Sequence, residues 1–232
     1  MKNLITKFKK DCLKSNKDIL IKNLAIQTFG NASQRINENL FVIKPSGINL
    51  KKIKSKDLVI IDINSGKKIK SKLKPSSDTE THRILYKQFP NLKGIAHAHP
   101  TFLTSWAQTG KSIPNLGTTH SDYWHKDIPI TDDLKSKEIK KNYEYNTGKA
   151  IISILMKKKL KPEHCPGVLS KFHGAFAWGN SSNEAVKNLE AMELIAEMAF
   201  YTSIIGSKKK ISKEQIDKHF FRKHGKRKYY GQ

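Results

Sequence analysis

Gly94-Ile95-Ala96-His97-Ala98-His99-Pro100 is the stretch on which the fold turns. Small and apolar residues run up to a proline that ends them, and the two-residue period of an extended chain sends His97 and His99 to one face. Two such imidazoles either find hydrogen-bonding partners or share a metal ion. A third from elsewhere would give the open three-ligand arrangement of catalytic zinc, which leaves a position for water or substrate. The natural third is His173, in the strand-like, apolar run Leu169-Ser-Lys-Phe-His-Gly-Ala-Phe-Ala-Trp-Gly179, where an unpaired imidazole is costly. A cupin needs a glutamate soon after the pair, and Pro100 to Thr109 contains none. An amidohydrolase barrel places the pair on its first strand, in a longer chain.

Outward from this stretch, Phe41–Ile43, Leu58–Ile63 and Val168–Trp178 are β-branched or aromatic runs bounded by turn residues. With residues 94–99 they predict four strands of a sheet. Apolar positions at helical spacing predict helices over residues 3–22, 79–89 and 182–205. Ser77-x-x-Glu80 and Ser181-x-x-Glu184 each fit a capping box at the start of the last two. Without repeats or low-complexity linkers, residues 1–232 read as one α/β domain, a sheet flanked by helices.

The 232 residues carry 44 basic and 20 acidic side chains, a formal net charge of +24. That excess invites a nucleic-acid reading, because clustered cations release counterions from phosphate backbones. Only Arg35, Arg83, Arg222 and Arg227 are arginine, however, so the forked side chain favoured for base edges is nearly absent. The lysines are spread along the chain, with local runs at Lys157–Lys159 and Lys208–Lys210, as a solvated surface would be. The expectation is no nucleic-acid partner. Residues 1–20 interleave lysines with single apolar positions, so neither a signal peptide nor a membrane span is expected. Cys12 and Cys165 stand alone, which suits a reducing, cytoplasmic setting.

Three further segments carry chemistry. Lys74-Pro-Ser-Ser-Asp78-Thr-Glu80 puts hydroxyls and unpaired N–H groups at a helix start, where a phosphate is attracted. Capping alone also explains it, but Gly30-Asn31-Ala-Ser33 and Lys44-Pro-Ser46-Gly47 add two small-residue turns able to donate to the same anion. Gly117-Thr-Thr-His-Ser-Asp122-Tyr123 reads as a loop whose carboxylate either caps or moves protons. The tail from Lys218 to Gln232 is either a basic frayed end or a segment closing over a site.

In order and spacing these segments, together with Asn23-Leu24, Thr28-Phe29, Pro166-Gly-Val-Leu169 and the tail motifs Arg222-Lys-His-Gly225 and Tyr229-Tyr-Gly-Gln232, resemble the class II aldolase superfamily. Within it they are most similar to the L-ribulose-5-phosphate 4-epimerase family. The resemblance implies a three-layer αβα fold with a largely antiparallel central β-sheet, and a homotetramer with active sites between subunits. It implies one zinc ion per subunit on His97, His99 and His173, with Asp78 beside the metal as a further or outer ligand. Asp122 and Tyr230 would be the acid/base pair, Tyr230 coming from a neighbour. Gly30, Asn31, Ser46, Gly47, Ser76 and Ser77, with Lys44 nearby, would hold a phosphorylated ketopentose. The implied reaction breaks C3–C4 of L-ribulose 5-phosphate and remakes it with C4 inverted, giving D-xylulose 5-phosphate for pentose catabolism such as that of arabinose. A sugar-phosphate aldolase that releases the aldehyde is the neighbouring reading, and a lysine-rich nucleic-acid-binding protein the distant one. Departures from the resemblance are Ala98 between the metal histidines, Phe29 in place of tryptophan, and Trp124-His125-Lys126 after Asp122-Tyr123. None removes a proposed catalytic group.

Overall fold

The computed structural model describes residues 2–206, 210–224 and 228–230. Lys208 and Lys209 of the lysine run, and Gly225, Arg227, Gly231 and Gln232 of the tail, lie outside the described residues. An N-terminal helix α1 (Lys2–Ile21) leads into strands β1 (Asn31–Arg35), β2 (Leu40–Ile43), β3 (Val59–Asp62) and β4 (Lys68–Ile69). Helix α2 (Thr79–Gln88), strand β5 (Gly94–Ala98) and helix α3 (Thr101–Thr109) follow. Next come helices α4 (Thr118–Ser121), α5 (Ser136–Lys140) and α6 (Tyr143–Lys157), then strands β6 (Gly167–Ser170) and β7 (Gly174–Gly179). Helices α7 (Ser182–Ile205) and α8 (Lys213–His224) end the chain.

The strands form one sheet in the order β4-β3-β2-β1-β5-β7-β6, every ladder antiparallel. Side-chain size decides which helices cover which face. Register places Ala32 opposite Ala96, Ala96 opposite Ala177, and Ala98 opposite Ala175. These methyls make a shallow face on which α1 and α7 lie close. A Cβ on Gly94 would stand 2.1 Å from the backbone carbon of Ser181, so only glycine admits the start of α7 here. The opposite face carries Ser33, Phe41, Ile95, His97 and Phe176, and α2 covers it, with Tyr86 packed on Phe41 at 5.1 Å. Helix α6 backs α2, where the end of Ile84 would meet a Cβ on Gly148 at 2.7 Å. Trp178 is buried and its indole N–H donates to the Pro162 carbonyl at 3.0 Å. Burying a large apolar side chain is worth roughly 1.5–3 kcal/mol, and the central strands bury Phe41, Ile95, Phe176 and Trp178. Helices on both faces of this sheet give the three-layer αβα architecture.

Four local expectations change. Asn31-Ala32-Ser33 is not a turn but the start of β1, because β2 and β5 pair it from both sides. Val168–Trp178 is not one strand: Phe172 takes a left-handed φ of 59°, and β6 folds back on β7 as a hairpin. The Ser77 capping box does not form. Thr79 donates its hydroxyl to the Ser76 carbonyl at 2.6 Å instead, and Arg83 occupies the Glu80 carboxylate at 2.8 Å. At the start of α7, Ser181 does accept from the Glu184 N–H at 3.1 Å, but the Glu184 carboxylate accepts from Asn180 rather than from Ser181. No helix among the described residues is long and apolar enough to cross a membrane.

Candidate active site

His97 lies within β5, and His99 follows one residue beyond its end. His173 sits in the hairpin turn between β6 and β7, brought opposite by the β5–β7 ladder, in which His97 pairs with Phe176. Among the described residues these three form the one group able to hold a metal ion, each offering an atom within 4.8 Å of the others. The Nε2 atoms of His97 and His99 are 3.0 Å apart. Nitrogens at ~2.1 Å from a tetrahedral ion stand roughly 3.4 Å from one another, so this pair needs little adjustment to share one. The three ring centroids are 4.8 Å apart pairwise, an equilateral mouth.

The surroundings prepare these rings to ligate. His97 is buried, Phe176 stacks flat on it at 4.0 Å, and its Nδ1 bonds the Ala175 carbonyl at 2.8 Å. A carbonyl only accepts, so Nδ1 carries the proton and Nε2 keeps a lone pair. Burial, then the neighbouring His173 and His99 rings, push the pKa of His97 well below the ordinary imidazole value. Burial lowers His99 and His173 too, so the trio is neutral near pH 7, the form that binds a cation. A three-nitrogen donor set with an open side fits zinc. Gly174 is part of this fit, since the edge of the His99 ring lies 2.6 Å from where a Cβ would be.

The trio lines a cavity of about 370 Å³ together with Gly30, Asn31, Lys44, Ser46, Gly47, Ser76, Ser77 and Asp78. Every expected substrate-binding residue is therefore beside the expected metal ligands. Two loops are joined to make the wall: Ser46 N–H donates to the Lys74 carbonyl at 2.9 Å, and Ser76 N–H to the Lys44 carbonyl at 3.0 Å. Gly30 and Gly47 have φ of 72° and 70°, which glycine adopts without strain. Lys44 is buried and donates to the Thr28 carbonyl. Burial lowers its pKa to about 8, against the opposing pull of Asp78. Asp78 is not among the three converging ligands. Its carboxylate accepts from the Asn31 amide at 2.7 Å, which holds it in the cavity wall.

Asp122 and Tyr230 do not line this cavity. Asp122 caps the end of α4, which the loop reading of Gly117–Tyr123 did not foresee, and α8 encloses its carboxylate. Arg222 donates to both oxygens at 3.0 Å, His219 approaches to 3.1 Å and Lys223 to 3.3 Å, while His224 bonds the Asp122 carbonyl at 2.9 Å. Burial opposes the charge, but Arg222, His219 and Lys223 outweigh it and hold this carboxyl below the usual carboxylate value. Tyr230 lies over Arg222, its ring centre 4.2 Å from the guanidinium carbon. The two expected acid/base groups are thus linked through one arginine, and the tail is an ordered segment as far as its described residues go.

Thr28 and Phe29, part of the resemblance but given no role by it, also line the cavity, and so do Tyr143 and Glu144, which escaped the sequence reading. Tyr143 and Glu144 open α6, far from the other segments in sequence, and no local pattern marks them.

Residues 10–200 match the family model for the class II aldolase and adducin N-terminal domain. Among solved structures the chain is similar to an L-fuculose 1-phosphate aldolase, at 25% identity over 92% of this chain and 94% of that one, with a TM-score of 0.76. An L-fuculose 1-phosphate aldolase from Glaciozyma antarctica PI12 is similar at 16% identity over 93% of this chain and 80% of that one, TM-score 0.76, and the Escherichia coli protein YgbL at 20% identity over 92% and 98% of the two chains, TM-score 0.73. With the fold, the imidazole trio and a match over most of its length, the chain belongs to the class II aldolase and adducin family.

Proposed function

We propose that this protein is a zinc-dependent epimerase converting L-ribulose 5-phosphate to D-xylulose 5-phosphate. The observation that carries the reading is three neutral imidazoles converging beside a buried lysine and two serine loops in one cavity. His97, His99 and His173 would hold zinc, and a zinc ion there would supply Lewis-acid stabilisation of the negative charge left when C3–C4 breaks. Ser46, Gly47, Ser76 and Ser77, with Lys44, grip the phosphate, so the aldehyde fragment stays bound and can turn before the bond is remade. The Ser46 and Ser77 hydroxyls have no protein partner among the described residues, which suits them to an incoming anion.

When C3–C4 breaks the C4 hydroxyl loses its proton on one face, and when the bond is remade on the turned aldehyde the new C4 alkoxide regains one on the other. Asp122 and Tyr230 fill these roles from a second copy of the chain, which is why they stand outside their own cavity. Support for assembly comes from α7, which exposes Leu194, Met198, Phe200, Tyr201, Ile204 and Ile205. So wide an apolar strip on one helix suits a subunit contact, and a homotetramer with shared sites is the expected form.

Release of the aldehyde, as an aldolase, is the second reading, and the likeness to an L-fuculose 1-phosphate aldolase is compatible with it without setting it above the first. Incubating the zinc-loaded protein with L-ribulose 5-phosphate separates the two: xylulose 5-phosphate is expected, and dominant free glycolaldehyde phosphate overturns epimerisation. His97→Asn is expected to lose zinc and turnover together. Normal zinc content and activity in that variant sink the site assignment.

A further inference from the structure

His97 owes its proton position to a backbone carbonyl, but His173 has no such support. It follows Phe172 in a tight left-handed turn and is only partly buried. Among the described residues the one hydrogen-bonding partner of its ring is Tyr143, whose hydroxyl lies 3.3 Å from Nδ1. The two rings are tilted by 33° with centroids 5.9 Å apart, so the phenol meets the edge of the imidazole rather than its face.

We infer that Tyr143 is a positioning residue for the metal centre, whose phenol oxygen accepts from Nδ1–H of His173 and thereby turns Nε2 toward the ion. The inference rests on the metal reading above and deepens it. An imidazole has two nitrogens and, when neutral, one proton; ligation through Nε2 requires that proton on Nδ1. An oxygen acceptor beside Nδ1 selects this tautomer and the ring angle together. The phenol is itself well placed. Asn142, at φ 59° and ψ 46°, turns the chain into α6, and the Thr147 hydroxyl ties the first turn by donating to the Tyr143 carbonyl at 3.0 Å. Thr81 on α2 donates its hydroxyl to the Glu144 carbonyl, which anchors this turn to the neighbouring helix.

The test is Tyr143→Phe, which removes one oxygen and keeps the ring. Zinc affinity of the full chain is measured by competition with a chromophoric chelator, alongside the thermal midpoint of the metal-free protein and the visible spectrum of its cobalt form. A tenfold to hundredfold weaker zinc affinity is expected from losing such an outer partner, by about the range seen at other centres. The metal-free midpoint should stay at the wild-type value, and the cobalt bands should change in position or intensity. Wild-type affinity and an unaltered cobalt spectrum in the variant overturn the inference. His97→Asn separates the two levels: a wild-type protein that binds zinc no better than His97→Asn overturns the metal reading itself, whereas tight wild-type binding with an indifferent Tyr143→Phe overturns only the role of Tyr143.

Discussion

Replacing Gly174 by alanine tests the geometry of the imidazole trio most directly. The added methyl would lie 2.6 Å from Cδ2 of His99 and 2.8 Å from the Ala98 carbonyl oxygen, where ordinary contact begins at 3.4 Å. The carbonyl belongs to β5, whose Ala98 pairs with Ala175 of β7, so it has little room to retreat. The His99 ring must then withdraw by roughly 0.8 Å, several times the ~0.2 Å tolerance of a metal–ligand distance. Zinc binding should weaken by at least ~10-fold. Overpacking also strains the fold by about 1–3 kcal/mol, which lowers the thermal midpoint of a chain this size by on the order of 5 °C. Chelator competition gives the first quantity and calorimetry of the metal-free protein the second. Gly110→Ala is the control: at φ 69° it is strained, and its methyl would meet only the flexible end of Lys171 at 2.8 Å. It should lose stability and keep zinc. Wild-type zinc affinity in Gly174→Ala refutes the reasoning.

Asp122→Asn removes the charge that three side chains of α8 converge on, and the helix should open more often by about 1–2 kcal/mol, a several-fold to tenfold or greater rise in cleavage by a dilute protease within residues 213–224. The effect should shrink in high salt, and an unchanged cleavage rate at low salt contradicts it. Lys44 is charged below its pKa of about 8 and neutral above it. Sulfate, whose charge is constant over this range, should bind the metal-free protein with a steady dissociation constant below pH 8 and a rising one above, by up to about tenfold per pH unit. Lys44→Met should bind weakly with no such rise, and a wild-type constant that is flat from pH 7 to 9 counts against Lys44 as an anion ligand.

Much of the site was legible because its parts are local. His97 and His99 announce their shared face by alternation alone, and the α2 and α7 stretches keep a helical stripe that their burial bears out. What escaped depends on long-range pairing. Asn31-Ala32-Ser33 lacks β-branched residues and became a strand only because neighbours on both sides completed its ladders. The break at Phe172 carries no glycine or proline before it, so a left-handed residue without the usual marker hid the hairpin. Tyr143 meets His173 across 30 positions, and Asp122 meets Arg222 across 100. Neither contact leaves a trace in local periodicity.

The bridge between the Lys44 and Lys74 loops separates the two tasks proposed for a single cavity. The imidazole trio sits on or at the ends of the β5–β7 ladder, whereas the groups proposed to grip an anion sit mainly on a welded pair of loops outside it. On the proposed function, reshaping those loops would change which sugar is held and leave the imidazole trio intact, so a scaffold of this kind could trade substrates without relearning its chemistry.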